Sequence, residues 1–304
     1  MKIGIAAKLS KIEWDMYRLG ISKDEVLKRY EKEGKNVDKI VKSHERQRKC
    51  IEEIICSTDN AEIININDLQ KGKLKKKEVD ILIAIGGDNF FQICAHYYAK
   101  SYLVGVNSDP LTSKGQLLNF TYASLKKSLA HIINGDFKIE TWTKIAVTLN
   151  GKRVKDAVCI ASLPIIDDDI MKRYLLKFKG REEEQKATGI LIVTGAGSGE
   201  GAWFRSAGLY LPLIKSGIYP EPTTEFPKTA RQIKTITREP FNHENCNYKW
   251  LNLTLSESEE LSLVYWSGQT TKLSIDSVKR YKVNEGDVLT FRVSENILKV
   301  VKKT

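Results

Sequence analysis

Apolar positions in the first hundred or so residues follow two rhythms. Short unbroken runs, Lys2 to Ala6, Ile63-Ile64-Asn65-Ile66, Ile81-Leu82-Ile83-Ala84-Ile85 and Leu103-Val104-Gly105-Val106, have the β-branched content of strands buried on both faces. Helical spacing fills the intervals. Ser22-Lys-Asp-Glu25 is a capping box that opens a helix Gly34 can end. Val37, Ile40, Val41, His44, Ile51, Ile54 and Ile55 mark a second helix from about residue 37, with His44 read as a packed or half-exposed helix residue, and a third runs from about Phe90 to Ala99. This alternation predicts an α/β lobe, a doubly wound parallel sheet whose ligands bind beyond the carboxyl ends of its strands.

After about residue 120 the pattern turns to period two. Ile139 to Leu149 alternates, Asn150-Gly151 offers a two-residue hairpin turn, and Val154 to Ala161 follows. Gly189 to Thr194 and segments 251–255, 261–266, 270–275, 287–293 and 296–301 also read as strands. The expected organisation is a nucleotide-binding lobe over 1–122 and a β-rich lobe over 123–304, with the last strand able to return to the first lobe. Tyr219 to Pro227, holding three of the seven prolines, reads as an exposed loop. There is no internal repeat.

Composition narrows the class. With 41% hydrophobic and 29% charged residues over 304 positions, the chain can fill a sizeable core, and two lobes sharing a cleft are expected. No stretch approaches the roughly 18 apolar residues of a membrane span, and the N-terminus reads as a strand rather than a signal sequence, so a cytosolic protein is expected. Five scattered cysteines without a CxxC pair argue for reduced thiols and against a disulfide framework or structural zinc. The net charge of +11 suits an anionic partner. Its densest run, Lys71 to Lys77, reads as a solvated loop, because no RNA-binding aromatic signature or zinc-finger spacing accompanies it.

Candidate chemistry gathers at three turns. Ile85-Gly86-Gly87-Asp88-Asn89 ends a strand and enters a helix. The two glycines let the backbone turn and a phosphate approach, the helix N-terminus favours an anion, and Asp88 stands where it could accept a hydroxyl proton during phosphoryl transfer. The plainer alternative is that Asp88 caps the helix. A second strand runs into Thr194-Gly195-Ala196-Gly197-Ser198-Gly199-Glu200-Gly201-Ala202-Trp203, then a helix through Arg205, Ser206 and Ala207. Four glycines in seven positions suggest backbone contact with a ligand, with a mobile loop as the alternative. It fits neither the P-loop nor the dinucleotide GxGxxG pattern. The third turn is Asn107-Ser108-Asp109-Pro110, with Ser113-Lys114-Gly115 after it.

In order and spacing these segments resemble the NAD kinase family, most of all its mitochondrial-type branch. Ala84-Ile-Gly-Gly-Asp88 resembles the GGDG motif, Gly105-Val-Asn-Ser-Asp-Pro110 with Ser113-Lys-Gly115 its GVNTDP and SEG segments, and Thr194-Gly-Ala-Gly-Ser198 with Ala202-Trp203 its TGTGS and AW. Thr237-Arg-Glu-Pro240 resembles IREP and Ser274-Ile-Asp276 resembles SIDG. The resemblance implies an α/β lobe facing a β-rich lobe, and transfer of the γ-phosphoryl of ATP, with Mg²⁺ or another divalent cation, to the 2′-hydroxyl of the adenosine ribose of NAD. It implies Asp88 as proton acceptor, Gly86 and Gly87 beside the phosphates, and Ser198, Ala202, Trp203 and Ser206 along the adenine and ribose pocket. Asn89, Asn107, Asp156, Thr188, Thr194, Gly197 and Gly199 join the nucleotide-binding candidates, no residue is assigned to metal, and a homodimer or homotetramer is implied.

The departures lie mostly on the acceptor side. Asn89 replaces the last glycine of GGDG, the family's Asn-Glu pair falls on Asp156-Ala157, and Thr188 stands where the common branch has Asp. Asp156 taking ribose hydrogen bonds and Glu200 replacing the missing carboxylate are the compensations considered. The alternatives to an NAD kinase are a kinase of this fold acting on another nucleoside, nucleotide or lipid, and a non-catalytic NAD(P)-binding protein. Nucleic-acid binding ranks last.

Overall fold

The computed structural model describes residues 1–163, 171–198, 226–241 and 248–303. The chain divides into two compact units, Met1–Glu140 with Lys299–Thr304, and Thr141–Leu298.

The first unit is built on β1 (Ile3–Ala7), β2 (Glu62–Ile64), β3 (Ile81–Gly86), β4 (Tyr102–Asn107) and the short β5 (Phe120–Thr121). Around them lie α1 (Lys11–Leu19), α2 (Lys23–Lys32), α3 (Val37–Cys56), α4 (Ile66–Gln70), α5 (Asp88–Tyr97) and α6 (Tyr122–Asn134). With β6 (Ile139–Trp142) and the late strand β18 (Leu298–Val301), the sheet order is β2-β1-β3-β4-β18-β6, β5 lying beside β4. The pairs among β1, β2, β3 and β4, and those of β4 with β5 and β18, are parallel. All six residues of β3 are buried, as a central strand covered on both faces requires. Cys50, Ile51 and Ile54 of α3 join Ile5, Ile83, Val104 and Val106 in the core.

α2 is capped by the Ser22–Glu25 box and followed by Gly34 at φ +66°, as its sequence predicts. α1 escapes the periodicity argument because one of its two buried residues is Asp15, whose Oδ2 accepts a 2.5 Å bond from the Tyr30 hydroxyl. The Ile63–Ile66 run is strand only to Ile64, because Asn65 caps α4 through the Asp68 N–H. The basic stretch after α4 is an exposed loop in which Lys76 and Lys77 pair with Glu78 and Glu62. Among the described residues no helix is long and apolar enough to cross a membrane.

The second unit is antiparallel. Its strands are β7 (Ile145–Leu149), β8 (Lys152–Arg153), β9 (Ile160–Leu163), β10 (Lys172–Phe178), β11 (Arg181–Val193), β12 (Gln232–Pro240), β13 (Asn252–Ser256), β14 (Glu260–Tyr265), β15 (Thr271–Ile275), β16 (Lys279–Val283) and β17 (Val288–Val293). The order is β16-β15-β9-β11-β10-β14-β17-β7-β8, and β12 pairs with both β11 and β13. The long β11 pairs with β10 over Arg181–Ala187 and with β9 over Ile190–Val193. Its inward side chains join those of Tyr174, Leu176, Leu263 and Phe291 in a single core.

Two strand expectations change here. Ile139–Leu149 is two strands, with β6 in the first sheet and β7 in the second. Of the expected strand from Val154 to Ala161 only the end forms, in β9, because the amides of Val158 and Cys159 are bound by the Asp276 carboxylate instead of a neighbouring strand. The Asn150-Gly151 turn has positive φ at both residues, 50° and 74°, as a type I′ hairpin requires.

Candidate active site

β3 and β4 end side by side, with Gly86 paired to Asn107. A side chain at Gly86 would put its Cβ 2.9 Å from Lys8 Cβ and 3.0 Å from Phe90 Cδ1, so the strand can turn there only as glycine. Gly87 is the N-cap of α5 and supplies no side-chain cap; the space a Cβ would take is open. Open space at the N-terminus of a ten-residue helix is where an anion gains from unpaired amides and the helix dipole.

Asp88 is the first residue of α5 and half-buried. Its carboxylate does not cap its own helix. Oδ1 accepts the Leu117 N–H at 2.9 Å and Oδ2 the Gln116 N–H at 3.2 Å. A carboxylate has about four acceptor directions, so two amides fix its plane while leaving it able to accept more. Asn89 is exposed beside it. Asn107 is buried and braces the turn that follows β4: Nδ2 donates to the Ser113 carbonyl at 2.9 Å and Oδ1 accepts the Asp109 N–H at 3.1 Å. Gly86, Gly87, Asp88, Asn89 and Asn107 are therefore gathered at one rim of the parallel sheet.

The second unit gathers Thr194 and Gly197. Thr194 is buried; its N–H donates to Cys159 O at 3.0 Å, its hydroxyl donates to Val158 O at 2.7 Å, and its Oγ1 accepts the Gly197 N–H at 3.2 Å. Gly195 and Gly197 lie in the short helix α7 (Gly195–Ser198). A Cβ at Gly195 would sit 2.1 Å from the Pro227 carbonyl oxygen, and one at Gly197 2.1 Å from that of Cys159. Main-chain packing thus requires glycine at both positions independently of any ligand. Asp276, at φ +51°, holds the other side of this turn by accepting Val158 N–H at 2.7 Å and Cys159 N–H at 2.8 Å. Its site sense was only partly legible, through the Ser274-Ile-Asp276 segment.

Asp156 is 9% exposed and already engaged. Arg153 Nε donates to it at 2.8 Å, Ser294 Oγ at 2.6 Å and Asn296 Nδ2 at 3.3 Å, and Lys144 Nζ stands 3.7 Å away. Burial pushes its carboxyl up, but the Ser294, Lys144 and Arg153 contacts outweigh that and hold it below the ordinary range. Thr188 lies in β11, its hydroxyl donating to Arg238 O at 3.1 Å. Six residues of strand put it roughly 20 Å from Thr194, so these two candidates do not meet. Gly199, Glu200, Ala202, Trp203 and Ser206 lie outside the described residues, as does most of the Tyr219–Pro227 loop.

Among the described residues no group of three or more His, Cys, Asp or Glu side chains could hold a metal ion. The carboxylates of Asp88, Asp109 and Asp156 each accept two or more hydrogen bonds. These residues do not fit a preformed divalent-cation cage. Cys50, Cys56, Cys94 and Cys159 are free thiols.

No protein-family model matches the chain. An NAD kinase of Methanopyrus kandleri is 29% identical over 156 residues, 47% of this chain and 55% of the relative. An NAD kinase of Thermoplasma volcanium is 25% identical over 220 residues, 71% of each chain. The match thus spans about half the length of the first relative, 55%, and more of the second. Among solved structures, yeast NADH kinase complexed with NADH superposes with a TM-score of 0.59 at 18% identity, covering 81% of this chain and 68% of that one. An NAD kinase from Archaeoglobus fulgidus in complex with ATP gives 0.58 at 18% identity, covering 100% and 94%. The fold, a parallel-sheet unit with an antiparallel β-rich unit, is theirs. None of these likenesses separates the mitochondrial-type branch from the rest.

Proposed function

We propose that this chain, related in sequence and in fold to the NAD kinases, is itself a phosphotransferase: it moves the γ-phosphoryl of ATP to the 2′-hydroxyl of the adenosine ribose of NAD or NADH. The observation that carries this reading is the half-buried Asp88 carboxylate, held by the amides of Gln116 and Leu117 beside the uncapped start of α5. In the proposed reaction the ribose oxygen forms a bond to the γ-phosphorus as the bond from that phosphorus to the bridging oxygen of ADP breaks. Asp88 accepts the hydroxyl proton, and ADP leaves with the electron pair. Acting as positioner and proton acceptor, Asp88 needs a fixed orientation more than strong basicity, and the two amides supply it. The Gly87 face of the α5 N-terminus is the proposed seat of a polyphosphate. A divalent cation would arrive with that polyphosphate, since Mg²⁺ takes many of its ligands from phosphate and water.

The kinship of the chain with NAD kinases supports the donor and acceptor classes, and the neighbours solved with NADH and with ATP support the choice of nucleotides. The second reading, a non-catalytic NAD(P)-binding protein, is favoured by the loss of the family's Asn-Glu pair, which falls on Asp156-Ala157. Asp156, proposed to replace the family's asparagine at the ribose, has its oxygens engaged by Arg153, Ser294 and Asn296. The deciding experiment incubates the purified protein with ATP, Mg²⁺ and NAD, NADH or no acceptor, and measures ADP and the phosphorylated dinucleotide. Acceptor-dependent ADP that Asp88→Asn forms far more slowly than wild type supports the kinase; binding of NAD(H) without ADP supports the sensor. Self-association into a dimer or tetramer is part of the proposal, and sedimentation velocity tests it.

A further inference from the structure

The loop that orients Asp88 is itself anchored far back in the sequence. Asp109, 3% exposed, receives Arg46 Nε at 2.8 Å on Oδ1 and Arg46 Nη2 at 3.0 Å on Oδ2. Ser43 Oγ donates to Oδ2 at 2.6 Å and Thr112 Oγ1 at 2.7 Å. Gln47 Nε2 donates in turn to Ser43 Oγ at 3.0 Å. Ser43, Arg46 and Gln47 project from one face of α3, a 20-residue helix fixed to the sheet by Cys50, Ile51 and Ile54. From Asp109 the chain closes on itself, with the Thr112 and Ser113 amides donating to Asp109 O at 3.1 and 3.2 Å and Leu118 N–H to Gly115 O at 3.0 Å. Gly115, at φ +63°, turns the chain so that Gln116 and Leu117 present their N–H groups to Asp88.

We propose that Arg46 and Ser43 are positioning residues for Asp88, acting through Asp109 to hold the 107–117 loop whose amides orient its carboxylate. The inference rests on the phosphotransferase reading of Asp88. Its physical basis is what a bidentate pair supplies. A guanidinium fork on a carboxylate fixes direction and distance together, whereas its net contribution to stability after desolvation is small. A turn rich in Asn, Ser, Asp and Pro can close without such a pair. Here the fork fastens one end of the loop to a rigid helix, and the other end is the hydrogen-bond pair on Asp88. A displacement at Asp109 is therefore delivered to the Asp88 carboxylate through the amides seven and eight residues further along the chain, those of Gln116 and Leu117.

The test compares wild type with Arg46→Met, which keeps the length but removes the fork, Arg46→Lys, which keeps the charge, and Ser43→Ala. Each is made with and without Asp88→Asn. Turnover in Arg46→Met should fall on the order of 10- to 100-fold, the penalty of misplacing a reacting group by about 1 Å. KM for both nucleotides should stay within about two-fold, with Arg46→Lys and Ser43→Ala in between. Hydrogen exchange at the Gln116 and Leu117 amides should quicken several-fold. In the Asp88→Asn background Arg46→Met should cost no further turnover, which a general loss of structure would not reproduce. Unchanged exchange or turnover in Arg46→Met, or an equal turnover loss with Asp88 absent, overturns the clamp. Wild-type protein that forms no ADP with any acceptor overturns the reading of Asp88 itself, whatever Arg46 does.

Discussion

Gly197→Ala separates a glycine required by the fold from one required by a ligand. The added Cβ would lie 2.1 Å from the Cys159 carbonyl oxygen and 2.7 Å from its carbon, both main-chain atoms. Reaching an ordinary contact of roughly 3.5 Å moves one backbone segment by about 1 Å or more. That displacement breaks the turn's own bonds: Gly197 N–H to Thr194 Oγ1 at 3.2 Å, Thr194 N–H to Cys159 O at 3.0 Å, and Thr194 Oγ1 to Val158 O at 2.7 Å. With buried partners left unsatisfied, three such bonds cost about 3 to 5 kcal/mol, a large share of a total stability of roughly 5 to 15 kcal/mol. Urea denaturation followed by far-UV circular dichroism and by tryptophan fluorescence measures the loss. Gly87→Ala is the control: its Cβ meets nothing within 4 Å and its φ of −119° suits alanine. It should leave stability within about 1 kcal/mol of wild type, because the unfolded-state entropy that alanine removes is offset by its poorer N-capping of α5, while lowering kinase turnover about tenfold, because its methyl stands where the polyphosphate is proposed to sit. A Gly197→Ala cost below about 1 kcal/mol would refute the packing argument.

Two further outcomes follow from local geometry. Ser277 is exposed and sits at φ +58°. A left-handed residue with a Cβ costs roughly 1–2 kcal/mol against about 0.5–1 kcal/mol of extra glycine entropy, so Ser277→Gly should stabilise by about 0.5 kcal/mol and raise Tm by about 1–2 °C; a lower Tm would contradict the strain. Asp109 and Asp156 are both held below the ordinary carboxylate range: burial raises each, and the hydrogen bonds and cations around each prevail. Their stabilisation is complete above the unfolded value near about pH 4 and is lost as pH falls through the lower folded values. The urea midpoint should therefore drop between pH 5 and pH 2 as an expected window of about that width, and Asp109→Asn with Asp156→Asn should flatten the drop; an unchanged slope would rule these two groups out as its source.

What could be read from the sequence was what repeats locally. β3 and β4 were visible because burial on both faces forces an unbroken apolar run, and the rim follows from them through Gly86, Gly87 and Asp88. β10 was not, since its burial runs through Tyr174, Leu175 and Leu176 in succession and includes Lys172, which hides the period of two. β16 was missed because it is an edge strand with exposed Lys279, Arg280 and Lys282, the charged guise that protects an edge. The Arg46–Asp109 fork joins positions 63 apart, and Asp276 reaches Val158 and Cys159 across 118 and 117 residues. No local period records a pairing of that kind. The glycines at 195 and 197 were legible as glycines but not as to cause: the close approach that demands them comes from Pro227 and Cys159.

The two units share one device, an aspartate whose two oxygens each take one of two successive backbone amides: Asp88 with Gln116 and Leu117, Asp276 with Val158 and Cys159. Their surroundings separate what the device does. Asp276 is 5% exposed, sits in a left-handed turn, and the amides it binds belong to a chain entering β9, so its carboxylate replaces a missing strand partner. Asp88 is half-buried at the start of an uncapped helix, and the amides it binds belong to a loop fixed elsewhere by Arg46. The same two bonds therefore complete a sheet in one unit and aim a carboxylate in the other. Aim matters only where something outside the fold is to meet the carboxylate, and that is why the proton-accepting role is proposed for Asp88 and not for Asp276.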